Sequence, residues 1–167
     1  MNKSDDRNNS FSLEKVLTLE SVKAKASVES WEQAANIVGE LLINSKKVEP
    51  RYVTRMKQAL AEIGPYVVVA PGIALLHARP EDGVLEPCIS LITLDTPVDF
   101  GHSENDPVDI VIAFGATNKI THIPALKRIA DQLSESEIVD KIRSAKTDKK
   151  LLEAFLDSHQ DVIPEGN

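Results

Sequence analysis

Three short apolar runs in the middle of the chain constrain the fold more than any other feature. They lie at residues 66–69, 88–94 and 108–114 and are rich in β-branched side chains, as is typical of buried strands. Amphipathic helical patterns precede them, beginning near Ser30 and at Pro50, and others follow them. Helices, then strands, then helices is the order of an α/β protein. The sequence therefore predicts a single-domain α/β sandwich in which helices flank a central mixed sheet.

Capping signals mark the two helices before the strands. Ser30 and Gln33 form a capping-box pattern at the start of the first. Pro50 suits the first position of the second, which is predicted to stop at Gly64-Pro65. Their inward faces are predicted to carry Trp31, Ala34, Ala35, Val38, Leu41 and Leu42 in one helix and Val53, Met56, Leu60 and Ile63 in the other.

The last third of the chain is predicted to be helical again. Helical spacing relates Ile123, Leu126, Ile129, Ala130 and Leu133. Ser134 with Glu137 forms a second capping-box pattern before Ile138 and Ile142. A final helix is predicted to start at Thr147-Asp148 and to turn Leu151, Leu152, Phe155 and Leu156 inward.

Two segments between the strands are predicted to be loops. The first, bracketed by Pro71-Gly72 and Pro80, contains His77. The second runs from Asp95 to Pro107 and is interrupted by prolines and a glycine, with room for one short edge strand. Loops held by a rigid sheet commonly display reactive side chains, which makes the first loop the more interesting.

Length and composition bound the class of protein. The chain has 167 residues, and we expect one domain at 11–160 between tails at 1–10 and 161–167. The lone cysteine, Cys88, has no partner for an internal disulfide and is expected to be a buried free thiol. No apolar run approaches the length of about 18 residues that spans a bilayer. The first ten residues are polar, and we expect a cytoplasmic location. A net charge of −7 argues against nucleic acid as the main partner.

The sequence contains four histidines, and two of them have settings that suggest chemistry. His77 follows a strand in a loop shaped by glycine and proline. His122 lies at the start of a predicted helix, where free N–H groups and the helix dipole favour anions, although it could equally cap its own helix. His102 is expected to be an exposed loop residue, and His159 lies in a polar C-terminal stretch.

Several common sites have no sequence support. There is no His-Glu-x-x-His motif and no paired cysteine spacing, so a metal site is not predicted. Neither a Walker A motif nor Gly-x-Gly-x-x-Gly is present, so no nucleotide cofactor is predicted. A nucleophile elbow is also absent, although spacing alone leaves a serine or cysteine triad open.

One long segment has a recognisable pattern. Residues 64–81, GPYVVVAPGIALLHARPE, closely resemble the active-site segment of enzyme IIA of the bacterial phosphoenolpyruvate:sugar phosphotransferase system. The resemblance is to the mannitol/fructose (type 2) superfamily and, within it, to the ascorbate-type branch. It extends over about residues 12–158 and includes the segments 48–52, 90–94, 105–110, 121–122 and 126–133.

This resemblance implies a function. A histidine at the position of His77 would accept a phosphoryl group from phospho-HPr and pass it to a cysteine of enzyme IIB, which feeds the membrane component, enzyme IIC. His122 falls on the second family histidine, which supports the phosphoryl group. Arg79 could assist or could be a solvated loop charge. The resemblance implies no cofactor, no metal and no insertion of this chain into the membrane.

The sequence departs from the family pattern at two places. Leu76 stands where the family usually has a proline before the active histidine. The arginine that mannitol-type members place before the active strand has no clear equivalent near Ala61-Glu62. Two other functions stay open: a phosphorylation-dependent regulatory protein of the same fold without a transport role, and a small-ligand-binding domain in which His77 is never phosphorylated.

Overall fold

The computed structural model describes residues 13–156. Its five strands are β1 Val22–Ala26, β2 Val68–Ala70, β3 Ile73–Leu76, β4 Cys88–Val98 and β5 Val108–Gly115. Its helices are α1 Leu13–Val16, α2 Trp31–Asn44, α3 Pro50–Ile63, α4 Lys119–Leu133, α5 Ser136–Ser144 and α6 Asp148–Leu156. The two predicted tails and His159 lie outside these residues.

The strands form one mixed sheet in the order β1-β4-β5-β3-β2. β1 is parallel to β4, and β3 is parallel to β5. The pairs β4–β5 and β2–β3 are antiparallel. The predicted α/β sandwich with a central mixed sheet is therefore confirmed. No helix between residues 13 and 156 combines the length and the apolar character needed to cross a membrane.

Helices cover both faces of the sheet and enclose two apolar cores. Helices α2 and α3 pack on one face, where the β3 residues Ala74 and Leu76 point. Helices α1, α4, α5 and α6 pack on the other face, where Ile73 and Leu75 point. Because side chains alternate along a strand, β3 is buried on both sides.

The predicted ends of α2 and α3, the two helices that precede the three predicted strands, agree with the structure. The Ser30 hydroxyl accepts a hydrogen bond from the Gln33 backbone N–H, at 3.2 Å, and α2 starts at the next residue. Helix α3 begins at Pro50 and is closed by Gly64, which has a φ of 109°. In the last third, the Thr147 hydroxyl accepts from the Lys150 N–H at the start of α6, as expected.

Two predictions about the strands were wrong. Residues 73–76, assigned to the His77 loop, form β3, because the apolar run Ile-Ala-Leu-Leu pairs with β5 inside the sheet. The run at 66–69, predicted as a buried strand, contributes only to the edge strand β2, and Val69 in it is 53% exposed.

Three further details differ from the predictions. The Ser134–Glu137 capping box does not form, since Ser134 ends α4 and its hydroxyl donates to the Asp131 carbonyl. Strand β4 continues to Val98 instead of stopping before a separate edge strand. Ile63, predicted to point inward, is 70% exposed and is the last residue of α3.

The sequence analysis did not predict β1. Its sequence, VKAKA, places two exposed lysines on an edge strand and offers few large apolar side chains. Lysine on an edge strand discourages pairing with another chain, and it also weakens the strand pattern in the sequence.

Candidate functional site

The candidate site lies where two parallel strands end. His77 directly follows β3, and β5 runs beside β3 in the same direction as far as the pair Leu76–Ala113. Alternation along the strand places His77 on the same side as Ile73 and Leu75, which is the side of α4. In open α/β sheets, ligands commonly bind at the carboxyl ends of parallel strands.

A cavity of about 670 Å³ opens at the carboxyl ends of β3 and β5. Both His77 and His122 line it, together with Tyr66, Ala78 and Pro80. Helix α3 contributes Arg55, Ala59, Glu62 and Ile63; the turn after His77 contributes Arg79, Glu81 and Asp82; helix α4 contributes Lys119 and Ile123. Three cationic side chains and three carboxylates thus face one opening that also contains two imidazoles.

The His77 imidazole is held by its own strand. Its Nδ1 atom lies 3.3 Å from the Leu75 carbonyl oxygen. Because a carbonyl only accepts, this contact favours the tautomer with the proton on Nδ1 and leaves Nε2 with a free lone pair. Burial lowers the pKa of His77, and nearby His122 adds to this effect against the opposing contact with Leu75. The lowered pKa favours the neutral ring at neutral pH.

His122 comes to the site from the first turn of α4. The side chain of Asn118 caps this helix by accepting from the Thr121 N–H at 3.0 Å, so His122 does not cap its own helix. Within residues 13–156 its buried Nδ1 atom has no hydrogen-bond partner. Burial lowers the pKa of His122, and the charge of Glu81 partly opposes this.

One aromatic side chain packs against both imidazoles. The buried ring of Phe114, near the end of β5, lies with its centroid 5.3 Å from that of His77 and 5.3 Å from that of His122. The two imidazole centroids are 5.6 Å apart. On the solvent side, the Tyr66 ring meets His77 edge-on at 6.3 Å. The structure thus brings together the two histidines that the sequence analysis selected.

The other predicted residues have different surroundings. Arg79 lines the cavity with an exposed side chain, while its backbone N–H donates to Asp82 at 3.0 Å. His102 is only partly exposed and lies elsewhere, where its Nδ1 accepts from the N–H groups of Glu104 and Asn105. It lies in a loop, as expected, but it is less exposed than expected. Its imidazole closes a local turn.

Cys88 and Leu76 are both buried. Cys88 is a free thiol, as predicted, and burial raises its pKa to about 12. Leu76 is 1% exposed and packs in the core beneath α2 and α3. Strand pairing and packing therefore fix the backbone of the residue before His77. In a proline at this position, the ring would restrict the backbone instead.

Sequence analysis missed two cationic residues of the cavity, Arg55 and Lys119. The Arg55 guanidinium Nε lies 3.7 Å from the Asp82 carboxylate, and its Nη1 donates to Gln58. Helical spacing places Arg55, Ala59 and Glu62 on one face of α3, and that spacing was the only available signal. An arginine on an exposed helix face carries no local signature of a site.

Comparison with known proteins gives concordant results. Residues 15–158 match the family model described as phosphoenolpyruvate-dependent sugar phosphotransferase system, EIIA 2. The ascorbate-specific PTS system EIIA component of Escherichia coli (strain K12) is 37% identical over 134 residues, which are 80% of this chain and 87% of that protein.

Solved structures share the fold. The solution structure of the mannitol-specific cryptic phosphotransferase enzyme IIA of Escherichia coli has a TM-score of 0.78 at 28% identity, over 87% of this chain and 98% of that one. The Escherichia coli complex of mannitol enzyme IIA with phosphorylated mannitol enzyme IIB gives a TM-score of 0.73 at 23% identity, over 85% and 99%. At that identity the second likeness concerns the fold alone.

Proposed function

The chain belongs to the EIIA 2 family of the phosphoenolpyruvate-dependent sugar phosphotransferase system, and we propose that His77 carries its phosphoryl group. The chain is thus a phosphotransferase component. In the proposed cycle, phospho-HPr donates the group to His77, and a cysteine of an enzyme IIB accepts it. Enzyme IIB in turn feeds enzyme IIC, the membrane component, so this chain acts on enzyme IIC only indirectly. The cycle takes place in the cytoplasm, where phosphoenolpyruvate is a metabolite.

The observation that supports this proposal best is the state of the His77 ring. Nδ1 is turned to the Leu75 carbonyl, and the lowered pKa favours the neutral imidazole, with Nε2 free of a proton, at neutral pH. Nε2 is then a nucleophile at the wall of an open cavity. In the proposed step, an N–P bond forms at Nε2 as the N–P bond of the donor breaks. Nδ1 keeps its proton throughout.

The surroundings suit an anion. Phosphoryl transfer depends on positioning and on stabilising charge on the equatorial oxygens. We assign this stabilisation to His122 through its Nε2 atom and to the N-terminal end of α4. The guanidinium groups of Arg55 and Arg79 and the Lys119 ammonium group add positive charge at the cavity wall. We assign to Arg55 the role of the arginine that mannitol-type members place before the active strand.

Exposed apolar side chains beside the cavity suit a transient protein partner. Ile63 is 70% exposed, Ile120 80%, Ile123 69% and Tyr66 45%. We call these four residues the apolar rim. Because a carrier must bind and release two partners, its contacts are expected to be small and reversible. We propose the apolar rim as the surface that meets HPr and enzyme IIB in turn.

The transported compound is proposed from a relative. The Escherichia coli protein with 37% identity is ascorbate-specific. We therefore propose ascorbate or a similar sugar acid as the compound whose uptake this carrier serves. The histidine cavity itself would not contact that compound, since only a phosphoryl group passes through it.

A stepwise reconstitution tests the proposal. The chain is incubated with phosphoenolpyruvate, enzyme I and HPr, and its intact mass is measured. The proposal expects the mass of one added phosphoryl group, which His77→Ala abolishes and His102→Ala retains. An unchanged wild-type mass would favour the small-ligand alternative and overturn the proposal. Enzyme IIB is added next: loss of the phosphoryl group to its cysteine supports the carrier, whereas retention of the group favours the regulator.

A further inference from the structure

One buried hydroxyl group joins the backbones on both sides of the two histidines. Tyr52 of α3 is 0% exposed and lies on the sheet face opposite His77 and His122. Its hydroxyl donates to the Phe114 carbonyl at 2.7 Å and accepts from the Ala78 N–H at 3.0 Å. Both partners are backbone groups at the ends of strands that carry the site.

This link begins where the strand ladder ends. The last pair of β3 and β5 is Leu76 with Ala113. One residue further along each strand are His77 and Phe114, which the ladder no longer holds together. The Tyr52 hydroxyl replaces the missing ladder contact by bonding Ala78 on one side and Phe114 on the other.

Phe114 extends the effect of the hydroxyl to both imidazoles. Its carbonyl is held by Tyr52, and its ring contacts His77 and His122 at equal centroid distances of 5.3 Å. A shift of Phe114 would therefore move the ring that both imidazoles contact. A shift of Ala78 would turn the backbone that carries His77.

We propose that Tyr52 is a positioning residue for phosphoryl transfer, and that its hydroxyl sets the placement of His77 relative to His122. The inference rests on the proposed function, because it concerns the rate of that transfer. Tyr52 touches neither the phosphoryl group nor the cavity in this account. It acts through the Ala78 N–H and through Phe114.

Removing only the hydroxyl should therefore slow the transfer. In Tyr52→Phe, the Ala78 N–H loses its acceptor and the Phe114 carbonyl loses its donor. The Ala78 segment can then relax, and Phe114 is held on this side only by packing while it stays paired with Ile89 of β4. Misplacement of a reacting group by about 1 Å can cost on the order of 100-fold in rate. We expect the rate constant for transfer from phospho-HPr to fall about 10-fold or more, with little change in the KM for phospho-HPr.

Thr93→Val provides a matched control. The buried Thr93 hydroxyl also accepts from a backbone N–H, that of Lys25, at 2.8 Å. Thr93 pairs with Ile110, which pairs with Ile73 at the opposite end of β3 from His77. This variant thus removes the same kind of hydrogen bond from the far end of the sheet. We expect it to lower stability while leaving both kinetic constants at their wild-type values.

The kinetic comparison separates the possible outcomes. Wild-type protein that accepts no phosphoryl group would overturn the proposed function itself. If the wild type is active and Tyr52→Phe reacts at the same rate, the positioning role is wrong. It is also wrong if Thr93→Val loses as much rate, since loss of stability would then explain both. A rise in the KM alone would assign Tyr52 to partner binding and would contradict the proposal.

A measurement on the unmodified chain keeps the inference testable if Tyr52→Phe fails to fold. Hydrogen exchange by NMR should find the Ala78 amide strongly protected, because the amide donates to a buried hydroxyl. Phosphorylation of His77 should leave that protection in place, since the link holds the phosphorylated ring as well. Exchange at the rate of an open amide, in either state, would contradict the proposal.

Discussion

At the residue scale, burial has the same effect on His77 and His122: it disfavours the imidazolium form and lowers the pKa of both imidazoles. Their local settings, after an apolar strand and at the start of a helix, made both of them candidates. The resemblance of the surrounding segments to enzyme IIA implied their roles. The sequence did not reveal that the two rings lie 5.6 Å apart, or that Phe114 contacts both. Those facts depend on the crossing of distant strands, which no local pattern encodes.

The first prediction concerns the protonation of His77. Burial lowers its pKa below the usual value of about 6.5. A lowered pKa means that the neutral, nucleophilic ring persists at pH values where an ordinary histidine is half protonated. An NMR titration of the ring Cε1 proton should find its midpoint below pH 6.5. A midpoint above the usual histidine value would contradict both the observed burial and the proposed neutral nucleophile.

The second prediction concerns His122. His122→Ala should slow phosphorylation of His77 without abolishing it, because the nucleophile remains while one stabilising group is lost. Removing a single such donor typically costs about 100- to 1,000-fold in rate. Rapid-quench transfer from phospho-HPr measures the effect, with His102→Ala as a histidine control away from the cavity. A His122→Ala rate equal to that of the control would remove His122 from the account.

At the element scale, apolar periodicity predicted α2, α3 and α6 well because each has a buried apolar face and a recognisable residue at its start, namely Ser30, Pro50 and Thr147. It failed at β3, where glycine and proline nearby suggested a loop although four apolar residues continue the sheet. It also failed at Ile63, whose apolar side chain fits the periodicity of α3 but is exposed and lines the cavity. An exposed apolar side chain beside a site is better explained by contact with a partner protein than by packing in the hydrophobic core.

The third prediction tests β3 as a buried strand. Leu76 is 1% exposed in the core under α2 and α3, so Leu76→Ala should lower the free energy of unfolding by about 2–5 kcal/mol. Val69→Ala, on the neighbouring edge strand at 53% exposure, should change it by less than about 0.5 kcal/mol. Urea denaturation measures both. Equal losses in the two variants would mean that Leu76 lies in a loop, as the sequence first suggested.

At the scale of the whole molecule, the sheet order places the cavity and the apolar rim at one end of the sandwich. The combination of charge, imidazole and apolar surface in this cavity was not visible in the sequence, because its walls come from α3, from the turn after β3 and from α4. The fold class was visible, because it depends only on the order of helices and strands.

The fourth prediction concerns the apolar rim. Ile123→Lys should raise the KM for phospho-HPr several-fold, because a charge would enter the contact surface, while thermal stability stays at the wild-type value. Leu19→Lys is the control, since Leu19 is likewise exposed, at 53%, but lies just before β1, which β4 and β5 separate from β3. Steady-state transfer assays measure both variants. A similar KM for the two would place the docking surface elsewhere.

The central claim is that the phosphoryl group resides on Nε2 of His77, and phosphorus-31 NMR of the phosphorylated chain with proton correlation tests it most directly. We expect one phosphohistidine, with the phosphorus coupled to ring protons of His77 in the pattern of an Nε2 adduct, and no such signal in His77→Ala. A phosphoryl group on Nδ1 of His77, or on any other residue, would contradict it.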